Sequence, residues 1–211
     1  MSFNSTINLC GVELTEHRHV CGFFNSKDEE FEFLLPFVKD GVERGGKSYH
    51  IIDPKKREDY LGLLRKSGIE EEGLQLDQVE VATWPEVYLK PGRFDMLGML
   101  ETVHKLLGQW KEEGYSLGRI VAHMEWGLLD EEGVEDLVEY ECRVNDVLSQ
   151  YDYPAVCTYD VSKFSSEVIL GVLRTHPLVI LGGAVHYNPF YVRPEELLKE
   201  MQSRKALGAN A

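Results

Sequence analysis

Short β-rich apolar runs alternate along the chain with longer segments whose apolar residues recur at helical spacing, which predicts an α/β fold: a largely parallel sheet covered by helices. Strands are expected at His19 to Phe24, Ser48 to Asp53, Val79 to Thr83, Arg119 to Glu125, Ala155 to Tyr159 and Leu178 to His186. Helices are expected near Asp28 to Glu43, Pro54 to Lys66, Asp95 to Glu113, Asp130 to Gln150, Ser162 to Arg174 and Pro194 to Lys205. Their starts carry capping chemistry: Asp53 before Pro54, Asp130 before two glutamates, and Ser162 followed by Ser165 and Glu167. Right-handed crossovers allow all six strands to share one sheet. Ligand chemistry is then expected at their carboxyl ends, around Phe24-Asn25, Asp53, Trp84, Glu125-Trp126, Cys157 to Asp160 and His186 to Asn188.

No linker, repeat or low-complexity tract interrupts the pattern, so residues 1–211 read as one domain, with a core of about 17–205 and a frayed tail from Ala206 to Ala211. With 43% hydrophobic residues the chain can bury a sizeable core. Its net charge of −14 opposes attraction to nucleic acid or anionic lipid. No apolar run reaches the roughly 20 residues of a membrane helix, and no secretory signal opens the chain. A cytoplasmic protein is expected, with Cys10, Cys21, Cys142 and Cys157 reduced.

The first strand is the richest in chemistry. Alternation along His17-Arg18-His19-Val20-Cys21 points His17, His19 and Cys21 to one face. An imidazole and a thiol so spaced suit a transition metal such as zinc or copper, or a haem. They equally suit a hydrogen-bonded histidine beside a packed cysteine. Cys157 and Tyr159 repeat the alternation on a later strand. His176 and His186 are further candidate ligands, His176 having the plainer reading of a cation at a helix C-terminus. Glu125, beside Trp126, could hold a proton, a cation or a polar ligand group. Phe23, Trp126, Tyr159 and Tyr191 interleave with these groups, as around a small-molecule pocket. The acids from Asp130 to Asp136 read as a solvated helix start, and Glu139 and Glu141 receive no chemical role.

Several motifs are missing: G-x-x-x-x-G-K-[ST], G-x-G-x-x-G, G-x-S-x-G and H-E-x-x-H do not occur. Gly45-Gly46-Lys47-Ser48 only resembles the tail of a phosphate loop, because it follows a helix and opens a strand.

Taken together, His19-Val20-Cys21-Gly22-Phe23-Phe24, Leu35-Pro36-Phe37 to Gly45, Cys157-Thr158-Tyr159-Asp160, His176-Pro177 and Asn188-Pro189-Phe190-Tyr191 resemble the MEDS domain, a sensory domain of methanogen and methylotroph regulators. The resemblance implies a three-layer α/β/α sandwich with a mostly parallel, RecA/KaiC-like sheet. In it Asn25-Ser26-Lys27-Asp28-Glu29 replaces the phosphate loop, and the acids make ATP an unfitting ligand. It also implies that the Cys157 strand lies beside the His19/Cys21 strand, with the strand carrying His186 on the other side. The function expected from it is non-catalytic sensing of a small organic, hydrocarbon-derived ligand, with output through a protein partner or homo-oligomer. His19, Cys21, Cys157 and Tyr159 would line the pocket. Glu125, Trp126, Asp160, His176 and Asn188 would stand at its mouth, and Phe23 and Tyr191 nearby. The alternatives are a metal- or haem-binding protein using His19, Cys21 and Cys157 with His17, His176 or His186, and a cysteine-dependent enzyme built on Cys21 or Cys157.

Overall fold

The computed structural model describes residues 7–15, 17–69, 78–89 and 92–208. A hairpin of β1 (Ile7–Leu9) and β2 (Val12–Leu14) leads into the central strand β3 (His19–Phe24), then α1 (Lys27–Glu43), β4 (Lys47–Ile52) and α2 (Arg57–Lys66). Next come β5 (Val79–Thr83), the short α3 (Trp84–Val87), α4 (Met96–Glu112), β6 (Gly118–His123) and α5 (Leu137–Leu148). The chain continues through β7 (Ala155–Asp160), α6 (Ser166–Thr175), β8 (Leu178–Leu181), β9 (Ala184–Tyr187) and α7 (Pro194–Gly208).

One sheet has the order β5-β4-β6-β7-β3-β8-β9, parallel except for β9. As the resemblance implies, the Cys157 strand β7 lies beside β3; β8 lies on its other side, and His186 stands one strand further out, on β9. Every residue of β3, β6 and β7 is buried, as the middle strands of a sheet covered on both faces must be. The pleat divides the core in two. Cys21, Phe23, Ala122, Cys157 and Tyr159 pack on the face covered by α4, α5 and α6. Val20, Phe24, Val121 and Val156 pack on the face covered by α1, α2 and the β1-β2 hairpin.

Four expectations need correction. The single strand from Leu178 to His186 is a hairpin: Gly182 and Gly183, at φ 59° and 74°, turn the chain back so that Leu178 pairs with Tyr187. The helix expected from Asp130 begins only at Leu137, and the one expected from Ser162 begins at Ser166, capped by the Ser165 side chain. The helix from Pro194 runs through Gly208, into the stretch expected to fray. The β1-β2 hairpin was not anticipated.

Candidate metal centre

The parallel register pairs His19 with Ala155 and Cys21 with Cys157, so β3 and β7 do present their ligand-type side chains on a common face. Around them, α5 contributes Glu141 and the end of α6 contributes His176. His19 Nδ1 or Nε2, a Glu141 carboxylate oxygen, Cys157 Sγ and a His176 ring nitrogen lie within 4.8 Å of one another, and all four residues are buried.

The surrounding hydrogen bonds fix which atoms face inward. The Asn145 amide nitrogen donates to the carbonyls of Glu141, Cys142 and Thr175, so its oxygen is turned toward His19 Nδ1 at 3.2 Å. That nitrogen carries a proton, because an amide oxygen only accepts, and His19 Nε2 is the atom turned into the cluster. His176 Nδ1 lies 2.9 Å from the Val172 carbonyl, which can only accept, so it too carries a proton and His176 Nε2 turns inward. Both Nε2 atoms face Glu141 Oε2, at 3.1 Å from His19 and 3.5 Å from His176. Although these separations are short, neither Glu141 Oε2 nor His176 Nε2 makes a hydrogen bond of acceptable geometry. Two imidazole nitrogens and a carboxylate oxygen thus converge, and Glu141 Oε2 and His176 Nε2 are left unmatched among the described residues. Cys157 Sγ lies 3.5 Å from His19 Nε2.

Electrostatics sharpen this arrangement. Burial pushes the Glu141 carboxyl up, but His176, His19 and the hydrogen bond from the Tyr159 hydroxyl outweigh it and hold it below the usual carboxylate range. Burial, reinforced by His19, pulls the His176 imidazole down to about 3, so it is a neutral ligand near pH 7. Burial and Glu141 push the Cys21 and Cys157 thiols well up. A nucleophilic cysteine needs the opposite shift.

Beside the cluster is a cavity of about 80 Å³, touching His19 and Cys157 and otherwise walled mainly by apolar and aromatic side chains such as Tyr88, Val103, Ala122 and Val144. At ~30 Å³ per water-sized unit this takes about three non-hydrogen atoms. A haem has no room there.

The remaining expected residues divide among other places. Cys21 lies on the same face but donates to the Leu178 carbonyl at 3.8 Å, outside the four-donor set. Phe23 packs against Tyr159. Trp126 stands at no pocket mouth: it is fully buried, stacked on Tyr88 at 4.7 Å. Glu125 and Asp160 reach ion pairs with Lys163, and Glu125 lines a separate cavity with α1 and α2, across the sheet from the cluster. Asn188 closes the end of α6 by donating to the Leu173 and His176 carbonyls. Tyr191 lies 6.2 Å from the His17 ring, and neither His17 nor His186 joins the cluster. Glu141, given no role from sequence, is its centre. Its signal is a carboxylate on the buried stripe Leu137, Glu141, Val144, Leu148, where helical spacing calls for an apolar residue.

A sequence model of the MEDS family, the methanogen/methylotroph DcmR sensory domain, matches residues 18–177, a span that holds all four donors. The transcriptional repressor DcmR of Methylorubrum extorquens is 22% identical over 178 residues, which are 80% of this chain and 61% of that protein. The chain therefore spans about three-fifths of this relative. A KaiC-like protein from the archaeon Pyrococcus horikoshii OT3 shares the fold, with a TM-score of 0.56 at 15% identity over 78% of this chain and 72% of that one.

Proposed function

Because the chain belongs to the MEDS family of sensory domains, we propose that it senses a small organic molecule at a metal centre built from His19, Glu141, Cys157 and His176. The observation that carries this reading is the convergence of two imidazole nitrogens, a carboxylate oxygen and a thiol in a fully buried site where Glu141 Oε2 and His176 Nε2 have no hydrogen-bond partner among the described residues. Such a set matches zinc or a similar borderline cation. Metal–ligand bonds of about 2.0 to 2.3 Å place tetrahedral ligand atoms roughly 3.3 to 3.7 Å apart, and the 3.1 and 3.5 Å separations lie close to that spacing. A divalent ion with the Glu141 carboxylate and a Cys157 thiolate is electrically neutral, which suits burial. Asn145, Val172 and Tyr159 act as the outer partners that orient the ligands.

The ligand occupies the adjoining cavity, where a molecule of two or three heavy atoms touches His19 and Cys157 directly. A hydrocarbon-derived compound of one to three carbons fits in both size and polarity. The signal then passes to a protein partner or a second copy of the chain, a reading supported by the likeness to a transcriptional repressor.

The test is reconstitution with cobalt(II), whose visible spectrum reports thiolate ligation. The expected result is one cobalt per chain with a sulfur-to-metal band that is lost in Cys157→Ala and retained in Cys21→Ala. The band should shift on adding short alcohols, thiols or haloalkanes. A folded protein that takes up no cobalt or zinc would overturn the centre, and a band indifferent to every short organic compound would overturn the sensing role.

A further inference from the structure

Across the sheet from the proposed metal centre, a second cavity of about 280 Å³ opens at the carboxyl ends of the strands, between α1 and α2. Its inner wall is apolar, with Phe31, Leu34, Leu35 and Val38 from α1 and Leu63 and Leu64 from α2. Its rim is charged. Glu30, only 3% exposed, accepts from the Thr158 hydroxyl at 2.8 Å and faces His123 Nε2 at 2.9 Å and Lys27 Nζ at 2.8 Å. Lys27 also pairs with Glu125 Oε1 at 2.6 Å, and Lys163 approaches the same oxygen at 3.6 Å.

The other carboxylate oxygen, Glu125 Oε2, is buried and has no hydrogen-bond partner among the described residues, on a residue only 8% exposed. An orphaned acceptor of this kind is costly unless a donor arrives to meet it. The charge balance selects the donor. Five carboxylates line the cavity (Asp28, Glu30, Asp53, Asp59 and Glu125) against three ammonium groups, Lys27, Lys56 and Lys163, and one imidazole, His123, so the carboxylates are in excess even with that imidazole charged. A further cation is therefore favoured there and a further anion is not.

We infer that this cavity is a second ligand site, which takes a small organic cation with an apolar body and an ammonium head: the head donates to Glu125 Oε2 and the body lies along the leucines of α1 and α2. At ~30 Å³ per heavy atom the volume accommodates roughly nine. The site stands apart from the proposed metal centre, since neither His19 nor Cys157 lines it.

n-Hexylammonium, hexanoate and 1-hexanol, which share one alkyl body, should be titrated calorimetrically into the full chain. The amine is expected to bind one per chain at least tenfold more tightly than the acid or the alcohol. Glu125→Gln should weaken it tenfold or more. Leu35→Trp, which fills the apolar wall from a half-buried position, should abolish binding while the circular dichroism spectrum is unchanged. In metal-free protein, Cys157→Ala should leave amine affinity as it was. Equal affinity for hexanoate or hexanol, absence of amine binding, or amine binding indifferent to both Glu125→Gln and Leu35→Trp would overturn the proposal.

Discussion

His50, fully buried on β4, has both ring nitrogens engaged, Nε2 with the Ser48 hydroxyl and Nδ1 with the Tyr60 hydroxyl, each at 2.8 Å. Burial first, and then His123, pull its imidazole down to about 3. In the unfolded chain the ring titrates near 6.5, so its contribution to stability is complete above that pH and is lost as the pH falls toward 3. Between pH 6 and 4 this histidine alone should steepen the loss by about 1.4 kcal/mol per pH unit. Urea midpoints for wild type and His50→Gln across that range test it. The variant should be less stable at pH 7.5 and flatter toward acid, whereas parallel curves would contradict the assignment. Glu30 behaves likewise at lower pH. Burial opposes its ionisation, but His123 and Lys27 prevail and pull the carboxyl to about 2, so that its share fades only below the ordinary carboxylate range. Glu30 and Glu141 share a reason for having escaped a reading from sequence. Each is a carboxylate on an otherwise buried helical stripe, Glu30 with Leu34, Phe37, Val38 and Gly41. Surface acids are so common on helices that only the stripe register distinguishes these two. His19 and Cys157 were visible because alternation along a strand leaves few positions to choose among.

At the level of elements, glycine substitutions in two neighbouring helices should act with opposite sign. Gly62 in α2 has nothing within 4 Å of an added Cβ, so Gly62→Ala should stabilise by about 0.5 to 1 kcal/mol through helix propensity alone. In α1, a Cβ on Gly41 would come within 2.0 Å of Nη1 of Arg119, a fully buried guanidinium that pairs with Asp40 and lies over the Phe37 ring at 4.7 Å. Gly41→Ala should therefore cost about 2 kcal/mol despite the better propensity. Thermal melts decide this, and a stabilised Gly41→Ala would show that the guanidinium yields freely. The parallel strands and their crossover helices were legible because periodicities of 2 and 3.6 separate cleanly over such lengths. The β8-β9 hairpin was not. Its two halves make one apolar run, and only the paired glycines at its middle betray the reversal.

Over the whole molecule, the family resemblance supplied what periodicity cannot, namely which strands are neighbours, and the observed pairing of β7 with β3 agrees with it. It did not reveal that the expected site residues serve two faces of one sheet. That division runs through β7, where Cys157 and Tyr159 turn toward the proposed metal centre while Thr158, between them, donates to Glu30 beneath the charged cavity. Three consecutive residues of one rigid strand are thus shared by two sites. If both are occupied as proposed, they are thermodynamically linked: the factor by which zinc alters the dissociation constant of hexylammonium must equal the factor by which hexylammonium alters that of zinc. Thr158→Val should bring both factors to one without removing either ligand, and a factor of one in the wild type would show that β7 insulates its two faces. With linkage, the chain does not report one compound but weighs two against each other.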